Sequence, residues 1–120
     1  MLYMALIYSA PGTGPAPNTP EFGAFMKGYM EATETYKKDG VYVAGDALHG
    51  VDQATSLRIR GAKVETMDGP FAETKEHLGG YYLFDCEDLD AALKYAAMIP
   101  TSEYGTIEVR PVMVPEDYQK

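Results

Sequence analysis

The sequence predicts an α+β domain of the ferredoxin-like type, a split β-α-β sandwich in which two helices cover one face of a four-stranded antiparallel sheet. Three observations lead to this prediction. The predicted elements follow the order β-α-β-(hairpin)-β-α-β, each predicted helix has one apolar face, and two strands are apolar on both faces. The length of 120 residues is typical of a single domain, so we assign residues 1–120 to one unit and expect residues 115–120 to be a mobile tail.

The first part of the chain supplies a buried strand and a long helix. Residues 2–8 form an uninterrupted apolar run, which is typical of a strand that is buried on both faces. After a loop rich in Pro and Gly, Thr19 is a suitable N-cap for a helix that has Pro20 at its first position and stops at Gly40. The apolar stripe of this helix consists of Phe22, Phe25, Met26, Tyr29, Ala32 and Tyr36.

The middle and end of the chain complete the sheet. Residues 41–48 are predicted to form a strand, and residues 55–60 and 63–67 flank Gly61 and Ala62, which suit a two-residue hairpin turn. Strands are also predicted at 81–85 and at 106–114, the latter at an edge because it contains Pro111. The second helix begins among acidic residues and ends at Pro100; its predicted inner face consists of Leu89, Ala92, Leu93, Ala96 and Ile99.

The sheet face away from the helices needs a second cover. Two helices can cover only one face, yet residues 2–8 and 81–84 present apolar side chains to both, and a large exposed apolar face is rare on a monomer. We therefore predict a homodimer in which two copies pack sheet to sheet. If Ile107 and Val109 face the helices, Glu108 and Arg110 enter the cleft between the sheets, where charges must be paired, hydrated or functional.

Composition excludes several classes of function. The net charge of −8 argues against nucleic acid and anionic membranes as partners, because both are bound through Lys and Arg. Cys86 is the only cysteine, which excludes an intramolecular disulfide, and we expect it to be a small buried residue. The apolar N-terminal stretch is too short for a signal sequence or a membrane helix, so we expect a cytoplasmic protein.

The most unusual segment comprises residues 68–81, with the sequence DGPFAETKEHLGGY. It contains five ionisable groups and three glycines between two strands. Asp68 is suited to accept hydrogen bonds in a tight turn, and residues 72–78 contain enough helix-forming residues for one or two helical turns. Gly79 and Gly80 predict a backbone that approaches another group closely or adopts a positive φ.

This segment resembles the signature of the DGPF branch of the YCII-related superfamily. The resemblance extends, in the family's order, to residues 3–8, 45–48, 88–92 and 108–113. It implies a dimeric α+β barrel with a cleft between the sheets as the site, and no established reaction. It also implies a link to extracytoplasmic-function sigma factors, which members of the branch accompany. The His–Asp pair suspected in other YCII-type proteins cannot be carried over, because residues 9–18 contain no His.

Two carboxylates and one arginine are the main candidates for chemistry. Asp46 ends a strand, where partial desolvation would suit a general base, and the alternative is a salt bridge with Arg110 or Arg58. Asp68 is a second candidate for proton transfer, although its default interpretation is a turn or cap residue. Arg110 either binds a substrate carboxylate or forms an ion pair with Glu108.

The signature segment supplies the other candidates. Lys75 and Glu73 are surface charges unless the loop folds into the cleft, whereas Gly79, Gly80 and Tyr81 are predicted to line it. The two histidines, at positions 49 and 77, have too few ligand partners nearby for a metal site, so we predict no metal and no cofactor.

Two functions remain open from the sequence. The first is a cofactor-independent enzyme, of the isomerase or lyase type, that acts on a small polar or anionic molecule. In that case Asp46 or Asp68 transfers the proton, and Arg110 or Lys75 anchors the anion. The second is a non-catalytic dimer that binds a ligand or a regulatory protein, associated with a sigma-factor pathway through the family resemblance alone.

Overall fold

The computed structural model describes residues 1–119 and confirms the predicted fold class. A four-stranded antiparallel sheet has the strand order β2-β5-β1-β6, and a separate hairpin pairs β3 with β4. The strands are β1 (Leu2–Ser9), β2 (Tyr42–Ala47), β3 (Thr55–Arg60), β4 (Lys63–Asp68), β5 (His77–Asp85) and β6 (Thr106–Pro111). The helices are α1 (Pro20–Lys38) and α2 (Leu89–Ala96). Within residues 1–119 no helix has the length and apolar character needed to cross a membrane.

The C-terminal residues leave the sheet after β6. A 3-10 turn spans Pro115–Gln119, and the backbone N–H of Val114 donates to Asp117 over 2.9 Å. The predicted mobility of residues 115–120 stays a prediction, and residue 120 lies outside the described part of the chain.

Each helix begins at a capping residue, which for α1 is the predicted Thr19 and for α2 is one of the acidic residues at its start. The Thr19 hydroxyl accepts a hydrogen bond from the backbone of Phe22, and Asp88 caps α2 in the same way. The predicted inner face of α2 is only partly right, because Leu89 and Leu93 are 46% and 47% exposed. Ala91 and Tyr95 pack against the core beside the buried alanines of α2, so the contacting face is rotated from the predicted one.

An aromatic cluster joins α1 to the sheet. The ring of Tyr36, at the end of α1, lies edge-on to Phe84 at 4.7 Å and to Tyr82 at 5.1 Å. Its buried hydroxyl donates to the backbone carbonyl of Tyr95 over 2.7 Å, which satisfies the only polar atom of that side chain. Cys86 is buried beside this core, as predicted. The cluster therefore fixes the C-terminal half of α1 against β5.

The buried tyrosines give a prediction for the alkaline titration of the protein. Burial raises the pKa of Tyr29, Tyr36 and Tyr82, so the folded protein holds these protons more tightly than the unfolded chain. Above the ordinary tyrosine pKa of about 10 the folded state binds more protons than the unfolded state, and its stability must fall as the pH rises. We expect tyrosinate absorbance to develop in two stages, the second coinciding with loss of circular dichroism.

The unfolded protein in guanidinium is the control for this titration. There, all tyrosines are expected to ionise in one stage near pH 10. A folded protein that also ionised completely in one such stage, with its circular dichroism intact, would contradict the burial of these three hydroxyls.

The hairpin has the predicted turn and stands apart from the sheet. Gly61 and Ala62 adopt φ values of 57° and 63°, as a two-residue hairpin turn of the primed type requires. Because β3 and β4 pair only with each other, the chain is broad and flat, and its radius of gyration of 16.6 Å exceeds the roughly 13.6 Å typical of 120 residues. Three apolar side chains on one face of the hairpin are left largely exposed: Leu57, Ile59 and Val64.

The helical turns expected at residues 72–78 are absent, and that prediction is wrong. Strand β5 extends back to His77, which pairs with Ser9, while Leu78 pairs with Tyr8. The loop before it is held to β6 by the Thr106 hydroxyl, which donates to Glu76 Oε1 over 2.7 Å. Extending the ladder with β1 satisfies backbone groups that a short helix would leave unpaired at both ends.

The sheet face opposite the helices carries a row of half-buried apolar side chains. Along β1, the buried side chains of Tyr3, Ala5 and Ile7 face the helices, and the residues between them point the other way. Ile107 and Val109 pack against the core, which is the condition under which Glu108 and Arg110 point to the opposite face. We call this surface the open face; it comprises Leu2, Met4, Leu6, Tyr8, Tyr81, Leu83, Glu108 and Arg110.

Candidate functional site

A cavity of about 410 Å³ lies where the first half of α1 meets the sheet, and we call it the α1–sheet cavity. It exists because the residues of β2 and β5 beside it are small: Gly45, Ala47, Gly79 and Gly80. A Cβ at Gly45 would come within 2.6 Å of the Tyr82 ring, and one at Gly80 would come within 2.9 Å of the Asp46 carbonyl. At Gly80 the backbone of β5 thus lies close to the backbone of β2, as predicted for the glycine pair.

Two pairs of hydroxyl groups form the inner wall of this cavity. Tyr29 and Thr101 are hydrogen-bonded through their side-chain oxygens at 2.6 Å, and Thr33 and Tyr82 at 2.7 Å. Burial raises the pKa of both phenols, so they remain neutral donors at physiological pH. Met26, which the sequence places in the apolar stripe, is instead half-exposed beside this cavity. The described lining contains no Lys or Arg, which favours a neutral ligand over an anionic one.

Asp46 and Tyr81 form a hydrogen-bonded pair on the open face of the sheet, on the side away from the α1–sheet cavity. They are direct neighbours across β2 and β5, and the Tyr81 hydroxyl donates to Asp46 Oδ2 over 2.7 Å. This hydrogen bond to a carboxylate raises the pKa of the Tyr81 phenol. Within residues 1–119 Asp46 forms no ion pair, so its carboxylate is accessible to water and to a ligand.

The structure brings together four of the residues predicted from the sequence and separates the others. Asp46, Gly79, Gly80 and Tyr81 are neighbours in β2 and β5 beside one cavity. Arg110 lies on β6, three strands from Asp46, which corresponds to about 14 Å across the sheet. No ion pair of Arg110 with either Asp46 or Glu108 is present in the described part of the chain.

The candidates from the signature segment lie elsewhere. Asp68 is the last residue of β4, opposite Thr55 at the base of the hairpin. Arg58, considered as a partner for Asp46, instead lies 3.6 Å from Glu65 within the hairpin. Glu73 and Lys75 are exposed and do not line the α1–sheet cavity.

Sequence reasoning missed the hydroxyl groups of the cavity. Tyr29 and Thr33 are four residues apart on α1, so they lie one above the other on the helix surface. The position of Thr33 beside the apolar stripe of the helix could have indicated a polar pocket between the helix and the sheet. Among residues 1–119 no group of three or more His, Cys, Asp or Glu side chains could hold a metal ion.

Comparison with known proteins gives a family and a fold. Residues 1–115 match the model of the YCII-related domain. The uncharacterised protein R00369 of Rhizobium meliloti (strain 1021) is 35% identical over 114 residues, which cover 93% of this chain and 92% of that protein. A solved structure, 5-chloro-2-hydroxyhydroquinone dehydrochlorinase (TftG) from Burkholderia phenoliruptrix AC1100, aligns with a TM-score of 0.53 over 97% of each chain. At 12% identity, that likeness establishes the shared fold.

Proposed function

Since the chain belongs to the YCII-related domain family, we propose that it is a cofactor-independent cytoplasmic enzyme that carries out acid–base chemistry on a small polar molecule. One observation carries the proposal: a carboxylate and a phenol, Asp46 and Tyr81, are hydrogen-bonded to each other on the open face of the sheet. A base and a proton donor side by side are the minimum that proton transfer requires.

In this mechanism Asp46 is the general base and Tyr81 the proton donor. Asp46 removes a proton from a carbon next to a carbonyl group, and the electron pair of that C–H bond forms an enolate. The proton then returns to a different carbon, or the enolate expels a leaving group, which gives an isomerase or a lyase respectively. Tyr81 keeps its proton until the enolate forms, because the adjacent Asp46 raises its pKa.

The surroundings of this pair favour a ring that bears hydroxyl groups. On the open face the Tyr81 phenol can donate and accept hydrogen bonds, and Leu6 and Leu83 supply an apolar surface beside it. The structure of TftG, which shares this fold, was determined in complex with 2,5-dihydroxybenzoquinone, a hydroxylated ring. We therefore place the substrate among small hydroxylated cyclic enols and their keto forms.

Asp46→Asn is the variant that tests this function. The probe is phloroglucinol, whose ring hydrogens exchange with deuterium oxide through a keto form, so that exchange requires the proton transfers proposed here. We expect the protein to accelerate loss of the ring-hydrogen NMR signal, and Asp46→Asn to slow the catalysed exchange by about 10²- to 10⁴-fold. Tyr81→Phe should slow it as well, because the proton donor is lost.

Two further variants complete this experiment. Asp68→Asn decides between the two carboxylates that the sequence offered, and Asp90→Asn, in the first turn of α2, is the control for a surface charge remote from Asp46. Equal exchange rates for the wild type and Asp46→Asn would contradict the assignment. A rate that fell only in Asp68→Asn would move the proton-transfer group to the base of the hairpin.

We also propose that the protein is a homodimer joined through the open face. The support is the row of half-buried apolar side chains along β1 and β5, which two helices on the other face cannot cover. In such a dimer Glu108 and Arg110 lie between the two sheets, where Arg110 is placed to bind an anionic group of a ligand.

A second candidate function is a non-catalytic dimer that binds a regulatory protein, with a sigma-factor pathway as the context that the family resemblance suggests. It is favoured by the hairpin, whose exposed Leu57, Ile59 and Val64 form an apolar surface suited to a protein partner. Turnover of a small molecule, together with the absence of any stable partner in affinity capture from native extract, would count against it.

A further inference from the structure

The signature segment builds a second cavity, of about 560 Å³, which we call the signature-loop cavity. It lies between the loop at residues 70–76, the segment at residues 48–54 and the adjoining ends of β1 and β5. The loop is fixed at its start by the Gly69 backbone N–H, which donates to the Ala54 carbonyl over 2.7 Å. At its end it is fixed by the hydrogen bond from Thr106 to Glu76. Hydrogen bonds therefore hold both ends of the loop that forms one wall of this cavity.

Both histidines of the chain line this cavity. His49 follows β2 and His77 begins β5, so residues far apart in sequence are brought to one hollow. Within residues 1–119 neither imidazole has a hydrogen bond or an ion pair, and the absence of a third suitable ligand excludes a metal site of three or more such side chains there. Two imidazoles that have no partner and belong to residues lining one cavity are available to bind a ligand.

The other groups around the cavity define the ligand's chemistry. Its apolar lining residues are Leu48, Val51, Ala54, Pro70, Ala72 and Leu78. Three titratable or charged groups accompany the imidazoles: the Tyr8 phenol from β1, the Glu76 carboxylate, and the Asp52 carboxylate, which lies against Gly50. Glu76 is engaged by Thr106 through Oε1, and the lining contributed by residues 1–119 contains no Lys or Arg. Among these described residues the imidazoles are the only lining groups that can become cationic.

We propose that the signature-loop cavity is a binding site for a small organic acid with an apolar body, whose carboxylate is held by His49 and His77. The apolar wall takes the body of the ligand, and protonated imidazoles supply charge-assisted hydrogen bonds to its carboxylate. Protonation gives an imidazole a positive charge and a second N–H donor, and the ligand carboxylate stays ionised in mild acid, so binding strengthens as the pH falls. This site is separate from the α1–sheet cavity and does not depend on the proposed enzymatic function.

Benzoate and its uncharged analogue benzamide test this site with the full-length protein. The chain has only two histidines, so their imidazole NMR resonances report on the cavity directly and can be assigned with His49→Gln and His77→Gln. We expect benzoate to shift both resonances and to bind about tenfold more tightly near pH 5.5 than near pH 8. Benzamide should bind weakly, with no dependence on pH.

Three variants test whether the two histidines hold the carboxylate of the ligand. In the double variant His49→Gln/His77→Gln benzoate binding should fall to the weak level of benzamide and lose its pH dependence, while Asp46→Asn, outside this cavity, should leave benzoate binding unchanged. Glu76→Gln should strengthen binding, because a negative charge beside the ligand is removed. Benzoate binding that is absent, independent of pH, or retained in the double variant would overturn the proposal, whatever the result of the phloroglucinol exchange.

Discussion

Replacing Leu6 by aspartate is expected to convert the proposed homodimer into a monomer. Leu6 lies in the centre of the open face, between Tyr81 on β5 and Glu108 on β6. A carboxylate there would be desolvated by the second copy and would add to the charge of Glu108, at an expected cost of about 3 kcal/mol for each copy. Because both copies in the two-fold dimer carry the substitution, the cost arises twice. The total corresponds to about ten-thousand-fold weaker association.

Leu93→Asp is the matched control for this experiment. Leu93 is also an apolar residue, but it lies on the outer face of α2 and is 47% exposed. Sedimentation equilibrium should show a dimer for the wild type and for Leu93→Asp, and a monomer for Leu6→Asp, with unchanged far-ultraviolet circular dichroism in all three. A wild-type protein that is monomeric at micromolar concentration would refute the dimer, and a dimeric Leu6→Asp would place the contact elsewhere.

The second large effect is expected from Phe84→Ala. Phe84 is 0% exposed, and its ring contacts Tyr36 at 4.7 Å and stacks on Tyr82 at 5.8 Å. Its removal leaves a cavity at the centre of the aromatic cluster that holds α1 on the sheet, so we expect a loss of about 3–5 kcal/mol of unfolding free energy. For a domain of this size that corresponds to a fall in Tm of about 10–25 °C.

Phe71→Ala provides the comparison, because the same atoms are removed from a side chain that is 69% exposed. Its unfolding free energy should change by less than about 0.5 kcal/mol. Urea unfolding followed by circular dichroism measures both variants. Similar losses for the two would show that the cluster around Phe84 is not the core of the domain.

The fold could be predicted because its determinants are local in the sequence. Thr19 and the turn at Gly61–Ala62 specify element boundaries through nearby backbone groups, and the structure has both as expected. The errors arose where tertiary contacts decided the outcome. The exposed positions of Leu89 and Leu93 follow from how α2 is rotated on the sheet, which helical spacing alone does not fix.

The site was predictable only in part, for the same reason. Asp46 and Tyr81 were each recognised, but their hydrogen bond depends on the register between β2 and β5, which joins residues far apart in sequence. The meeting of His49 and His77 depends on the path of two loops. Residue type and spacing identified individual groups with useful chemistry, and the long-range pairing of strands decided which of them became neighbours.

The exposed strand edges of the hairpin affect how well the protein resists aggregation at high concentration. Both of its strands have one unpaired edge, and their apolar side chains alternate with Arg58, Arg60, Lys63 and Glu65 along those edges. Unprotected strands of this kind template the stacking of further chains into aggregates, and interspersed charges oppose it. The cations near the turn thus act as gatekeepers against fibre formation, in a chain whose charge is otherwise strongly negative.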